Sequence, residues 1–433
     1  MTDAAIPPTA AGAKDLRSLV QSRLKARQAQ EARFKFYGQL AIVLALSFLV
    51  VLLGRIIHQG ASTFFDYRMS VAVYIDPAKV QRDDVASANF DLLVAEAVMV
   101  KLGEKDDEYG ETSAKAMELL SNDLGFQLLS QVRDDPSLIG KTVTVTGPVR
   151  ADAALYYKGQ IKRSTPQGDR KLDDRQLAWL DRIKSMGMVS GGFNTQFLTR
   201  SDSTEPEQAG VLGAVVGSAM MLLVTAVLAV PIGMLAATYL EEFAPKNRWT
   251  DIIEVNINNL AAVPSIVYGL LGLAVFINWL HVPRSSPLLG GLVLALMALP
   301  TVIIATRAAL KAVPPSIREA ALGVGASKTQ TVFHHVLPLA MPGVMTGAIL
   351  SLAHALGETA PLLMIGMVSF VPGVPQAVTE AATVLPVQVF IWENASERAF
   401  HERTAGAIIV LLIFMIVMNL AAILLRRRFE RRW

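Results

Sequence analysis

Apolar positions in this chain gather into long unbroken runs, and the polar positions fill the stretches between them. A helix that crosses a membrane needs about 20 mainly apolar residues, because the hydrocarbon layer is about 30 Å thick. The first such run is YGQLAIVLALSFLVVLLGRII at 37–57, and five more follow at about 211–239, 255–280, 288–308, 342–370 and 405–425. The first run is preceded by Arg17, Arg23, Lys25, Arg27, Arg33 and Lys35. It is too long for a signal-peptide core and lacks a small-residue cleavage site, so it reads as a retained anchor. Between the first two runs lies a polar stretch of domain size. It mixes strand-like segments (SVAVYI, KTVTVTGPV) with helix-like ones (FDLLVAEAVMVKLG, RQLAWLDRIKSMG), which predicts a small α+β domain.

The expected fold is an all-α polytopic membrane protein with six transmembrane helices and an inserted small α+β domain. The expected parts are a basic cytoplasmic tail (1–36), a first transmembrane helix (37–57), an external domain (58–206), which the resemblance given below makes periplasmic, and a core of five transmembrane helices (207–433). Composition agrees with a membrane protein: 52% of residues are hydrophobic and 18% charged, with a mean hydropathy of +0.41. The distribution of charge says more than its sum of +3. Lysine and arginine collect in cytoplasmic loops. The basic tail, Lys246 with Arg248, the 307–328 connection and the terminal RRRFERRW all fall on one side of a six-span chain. Both termini are then expected in the cytoplasm, with membrane lipid around the spans. Cysteine is absent, which excludes disulfides and thiolate chemistry. No His-Glu-x-x-His pair and no Gly-x-Ser-x-Gly elbow occurs. No catalytic residue, metal, cofactor or nucleic-acid partner is therefore expected.

The segment REAALGVGASKTQ at 318–330 half-resembles a phosphate-binding loop. Such a loop needs its lysine directly after the last glycine, and here Ser327 intervenes, with no buried strand leading in. Two capping boxes are written into the segment instead, Ser316-Ile-Arg-Glu319 and Ser327-Lys-Thr-Gln330. Pro314 and Pro315 block a helix from upstream, and Gly323 and Gly325 offer a sharp turn. Two short helices are predicted, joined by that turn, closed by Leu337-Pro338 and exposing the small residues Ala320 and Ala321. From spacing alone, this is either a docking element or an amphipathic connector with no partner.

The string Glu319-Ala320-Ala321, three residues, Gly325, then Leu337-Pro338 resembles the EAA signature of type I ABC importer permeases. The resemblance implies that the 309–341 loop couples to a separate ATPase subunit. His335 stands where that family usually has a branched apolar residue. Three further strings, ATYLEEFAPKNRW (237–249), NINNLAAVPSIVYGLLGLAVF (256–276) and ALGETAPLLMIG (355–366), are similar to the PstA-type permeases of phosphate importers, from about residue 209 onward. That similarity implies a dimeric PstB-like ATP-binding subunit, a second PstC-like permease, a PstS-like periplasmic binding protein and phosphate as cargo. Permeases for another oxyanion or small solute share the coupling signature. A membrane sensor reporting through the hairpin is a reading of another class.

His354 and Glu358 lie one helical turn apart, near the middle of the fifth run. Ionisable groups at membrane depth are costly and commonly line a pathway. Gly357 and Pro361 predict an irregular helix there, and Thr359 adds a hydroxyl. Glu358 could accept a hydrogen bond from the P–OH of phosphate, which a fully deprotonated oxyanion lacks. His354 occupies a position where the family usually has arginine. The alternative for the pair is a buried His–Glu contact within the helix bundle. Arg307 is either a pathway residue or a positive-inside flank. Glu254, Asn256, Asn258 and Asn259 open the third run, which Pro264-Ser265 should bend, while Glu241-Glu242 and Lys246-Arg248 read as a solvated loop.

Overall fold

A computed structural model describes residues 10–82, 84–105, 110–367 and 370–429. The side chains of Arg17, Arg23 and Lys25, and residues 430–433 of the terminal basic run, lie outside what is described. Residues 1–58 and 59–433 form two compact units. The first is made by helix α1, Ala10–Gly60, in which the expected tail and anchor are one continuous helix.

The second unit opens with the inserted domain. Its strands are β1 (Phe65–Tyr74), β2 (Thr142–Pro148) and β3 (Val189–Phe193). Its helices are α2 (Phe90–Leu102), α3 (Glu111–Met117), α4 (Asn122–Asp134), α5 (Ala151–Tyr157), α6 (Asp174–Ser185) and α7 (Thr195–Thr199). The sheet is antiparallel in the order β2-β1-β3, with Ser70 opposite Thr146 and Tyr67 opposite Gly191. Alternation along β1 buries Met69, Val71 and Val73, as a strand with one covered face requires. Leu93 and Val98 of α2, Leu124 and Leu128 of α4, and Leu177, Leu180 and Ile183 of α6 complete that core. All four segments read as strand or helix from sequence form as expected. The third strand, whose Gly191 and Gly192 weaken the strand signal, is an addition.

The membrane-type helices are α8 (Leu212–Thr238), α9 (Arg248–Ala261), α10 (Ser265–Leu271), α11 (Pro287–Lys311), α12 (Pro315–Gly323), α13 (Lys328–Gln330), α14 (Leu337–Gly357), α15 (Ala360–Met364), α16 (Leu385–Glu393) and α17 (Arg398–Phe429). Among the described residues, five helices are long and apolar enough to span a membrane, and α9 with α10 supplies a sixth only as a broken pair bent by 104°. The third run is thus not one gently bent helix. Pro264 provides no N–H and excludes helical backbone at Val263, so the chain restarts at Ser265. The fifth run is also shorter than expected. Its helix ends at Gly357, and Glu358 has ψ 126°.

Helix α11 packs along α8 on one side and α14 on the other. On α14, Gly343 and Gly347 meet Ala309 and Ala305, and a Cβ at Gly347 would lie 2.2 Å from that of Ala305. This is the small-xxx-small contact by which membrane helices approach closely. The 371–403 stretch holds α16 and the first turns of α17.

The inserted domain is joined to this core by buried charge. Asp66, Lys158, Glu402 and Arg403 are each under 9% exposed. Arg403 donates to Asp66 at 2.7 Å, and Lys158 donates to Glu402 at 2.9 Å while lying 3.6 Å from Asp66. Trp392 of α16 donates its indole N–H to Asp202 at 2.9 Å.

Candidate functional site

The 309–341 connection folds as a hairpin, though not with the expected details. The first predicted capping box does not form. Pro315 takes the first helical position, which puts Ser316 inside the first turn, and Pro314 caps without a side-chain bond. Gly323 is the last helical residue, and only Gly325 has positive φ, at +89°. The amide of Ala326 reaches the Ala321 carbonyl at 3.1 Å and that of Gly325 reaches Leu322 at 3.0 Å. This is the Schellman pattern, which satisfies the terminal carbonyls at the cost of one left-handed residue. The second box does form: Gln330 N–H donates to Ser327 Oγ at 3.2 Å, and Ser327 N–H to Gln330 Oε1 at 2.9 Å.

The turn presents Glu319, Ala320, Leu322 and Val324 to solvent, Val324 at 87% exposure. Ala321 is buried, contrary to expectation. Leu337 and Pro338 do not close the hairpin either. The chain continues helically from Lys328 to Gly357 through a π-helical turn at Thr331–Val336. That wider turn precedes Pro338, which has no N–H to give a regular ladder. His335 is exposed within it.

The charges around the hairpin depart from the solvated loop expected at Glu241-Glu242. Glu241 and Glu242 are 19% and 8% exposed in their side chains and are ion-paired, not solvated. Glu242 accepts from Arg318 at 2.6 Å, and Glu241 from Arg307 at 3.2 Å. Arg307 also donates to Glu254 at 2.5 Å. Lys246 and Arg248 are exposed. The signal for the pairing was present in the like-signed Glu241-Glu242 doublet beside an apolar run, but its partners lie 66 and 76 positions away.

The second candidate site is the break after α14. His354 Nε2 lies 3.2 Å from Glu358 Oε1, the histidine 72% exposed and the glutamate 20%. The histidine is thus not buried within this chain's own helix bundle. The pair lies at a helix end, not mid-helix. Glu358 is extended, and Thr359 gives its carbonyl to the amides of Leu362 and Leu363. Helix α10 packs on α15 so closely that a Cβ at Gly269 would sit 2.8 Å from Pro361. The segments that follow the two breaks, α10 and α15, therefore pack on each other. Arg307 finds its ionic partners on the π-helical turn that follows α8 and on α9, whereas His354 and Glu358 pair with each other.

The description "Binding-protein-dependent transport system inner membrane component" matches residues 229–433. The phosphate transport system permease protein PstA 1 of Mycobacterium tuberculosis is 35% identical over 230 residues, covering 52% of this chain and 74% of that protein. The chain belongs to the PstA permease family. The PstA of Pasteurella multocida is 30% identical over 220 residues, covering 50% of this chain and 76% of the relative. Residues 21–167 match a domain of unknown function, DUF3333. Among solved structures, the inward-facing MetNI methionine ABC transporter aligns with a TM-score of 0.43 at 18% identity, over 50% of this chain and 95% of that one. As a PstA-family permease, this is a multi-pass inner-membrane protein of an ABC importer.

Proposed function

We propose that this chain is a permease subunit of an ATP-driven importer of inorganic phosphate. The observation that carries the reading is the Schellman-turned hairpin with Glu319, Ala320, Leu322 and Val324 exposed, in a chain 35% identical to a phosphate permease. That surface docks on a PstB-like ATP-binding subunit. Leu322 and Val324 supply apolar area, Ala320 allows close approach, and Gly325 holds the turn. The second hairpin helix leads through Leu337 and Pro338 directly into a span, so a push on the turn is delivered to the membrane region. A PstC-like permease supplies the other half of the pathway and a second hairpin. A PstS-like protein delivers phosphate to the periplasmic face, where the 58–206 domain lies, and both termini are cytoplasmic. Closure of the ATPase dimer rocks the permease pair between its inward- and outward-facing states.

Glu358 and His354, with Thr359, are the proposed cargo contacts. Their place at a helix break supports this, because irregular backbone at membrane depth is tolerated where it lines protein or water. Glu358 accepts the P–OH proton as a hydrogen bond, His354 donates to a phosphate oxygen when protonated, and Thr359 donates its hydroxyl. Arg307, tied to two glutamates, acts through helix position.

The test is Glu319→Lys. ATP-dependent uptake of radiolabelled phosphate should vanish while membrane insertion persists, and normal uptake would remove the coupling role. Competition by sulfate or molybdate distinguishes another oxyanion as cargo. Signalling without net flux would identify a sensor instead.

A further inference from the structure

Three consecutive residues just past the end of α8 each engage a different neighbour. Glu241, Glu242 and Phe243 lie in a π-helical turn, Tyr239–Phe243. Successive side chains point about 100° apart on an α-helix and somewhat less on a π-helical turn, so three in a row still sweep a wide arc and can address separate elements. Glu241 takes Arg307 of α11, whose other arm holds Glu254 of α9. Glu242 takes Arg318 of α12. The Phe243 ring faces the ammonium of Lys328, 5.4 Å from its centroid, at the start of the second hairpin helix.

Arg318 is the most constrained member. Besides Glu242 it donates to the Leu310 carbonyl at 2.9 Å and the Val313 carbonyl at 2.8 Å, at the exit of α11. Its guanidinium therefore clamps the end of α8, the end of α11 and the first hairpin helix to one point. A planar fork can do this and a lysine ammonium cannot. With Glu242 only 8% exposed, the pair is shielded from competing water.

We propose that the Glu241-Glu242-Phe243 turn is a rigid joint that carries hairpin displacement into α8 and the broken α9–α10 run, with Glu242 and Arg318 as its positioning residues. Without such a tie, the hairpin would reach those elements through α11, α14 and an apolar cluster that includes Met234 and Ile317, and a push on it could be absorbed by bending the Pro314-Pro315 connection. The joint rests on the coupling reading above and adds where the force goes.

The experiment uses the full importer in proteoliposomes. It measures three quantities: ATPase subunit retained on the permease, ATP hydrolysed, and phosphate transported per ATP. Glu242→Gln and Arg318→Lys should each retain the ATPase subunit and hydrolysis, yet lower phosphate per ATP at least about fivefold, the lower bound of ordinary coupling energies. The double variant should be no worse than either single, as for two residues acting as one unit. An unchanged ratio, additive losses, or release of the ATPase subunit would each overturn the proposal. Because the natural chain has no cysteine, Glu242→Cys with Arg318→Cys can be bridged by a short bismaleimide. The bridged permease should transport more per ATP than the unbridged double variant. Equal or lower transport after bridging would show that the two elements must separate, and would overturn the joint. Absence of the ATPase subunit from the unaltered complex would instead refute the coupling reading itself.

Discussion

Arg403→Met removes one corner of a buried four-charge cluster and so tests what holds the inserted domain to the helical core. The cluster holds two cations and two carboxylates, all under 9% exposed. Taking Arg403 away leaves Asp66 and Glu402 sharing Lys158, which is 3.6 Å from one and 2.9 Å from the other. Breaking a buried pair by removing one partner costs about 3–5 kcal/mol, because the remaining charge stays desolvated. Lys158 keeps a partial claim on Asp66, so the lower end applies, about 3 kcal/mol. At 1.4 kcal/mol per tenfold, opening of this joint becomes about 100-fold more frequent. Amide hydrogen exchange reads that frequency directly. The reporter is the Asn194 amide, which bonds the Phe64 carbonyl at 2.8 Å beside Asp66. Adding Asp66→Asn leaves Lys158 and Glu402 as a neutral pair and should recover most of the loss. If exchange at Asn194 rises less than about threefold in Arg403→Met, or if the double variant is no better than the single, electrostatic joining of the domain is refuted.

Three further outcomes are expected. Burial pushes the Glu207 carboxyl up to about 7 from 4.5. The folded state therefore binds this proton more tightly, and the stability it brings is full below pH 4.5 and lost as pH rises through about 7, a span of about 3 kcal/mol. The thermal midpoint of wild type relative to Glu207→Gln should fall across that window and then level off, and a constant difference would contradict the assignment. Gly347→Val places a Cβ 2.2 Å from that of Ala305, which should destabilise the α11–α14 crossing by about 1–3 kcal/mol. Adding Ala305→Gly should restore part of the melting temperature in detergent. Ser327→Ala should cost the second hairpin helix about 1 kcal/mol, seen as roughly five- to tenfold faster exchange at the Gln330 amide; unchanged exchange would mean the cap contributes nothing.

Local chemistry was legible along the chain. Unbroken apolar runs can serve only as spans or deep core, and alternation in SVAVYI and KTVTVTGPV could suit only half-covered strands. The Ser327-Gln330 box and the left-handed turn at Gly325 also depend on neighbours within a few residues, so they could be read directly. The Ser316-Glu319 box failed because Pro315 competes for the same helix start, and a proline's fixed φ prevails over a side-chain cap. Breaks in the third and fifth runs were signalled by Pro264 and by Gly357 with Pro361. The size of each break was not, since it depends on what packs behind, here α10 against α15.

What sequence could not supply was the pairing of charges. Glu241 and Glu242 look like a solvated doublet until Arg307 and Arg318 arrive from 66 and 76 residues downstream, and Asp66 meets Arg403 across 337 positions. The apolar runs, the polar domain and the hairpin follow from residues close in sequence, where sterics and hydrogen bonding leave few choices. Whether a charge is buried, and with whom, follows only once distant helices are packed, because the desolvation that makes pairing necessary does not exist until the chain has folded.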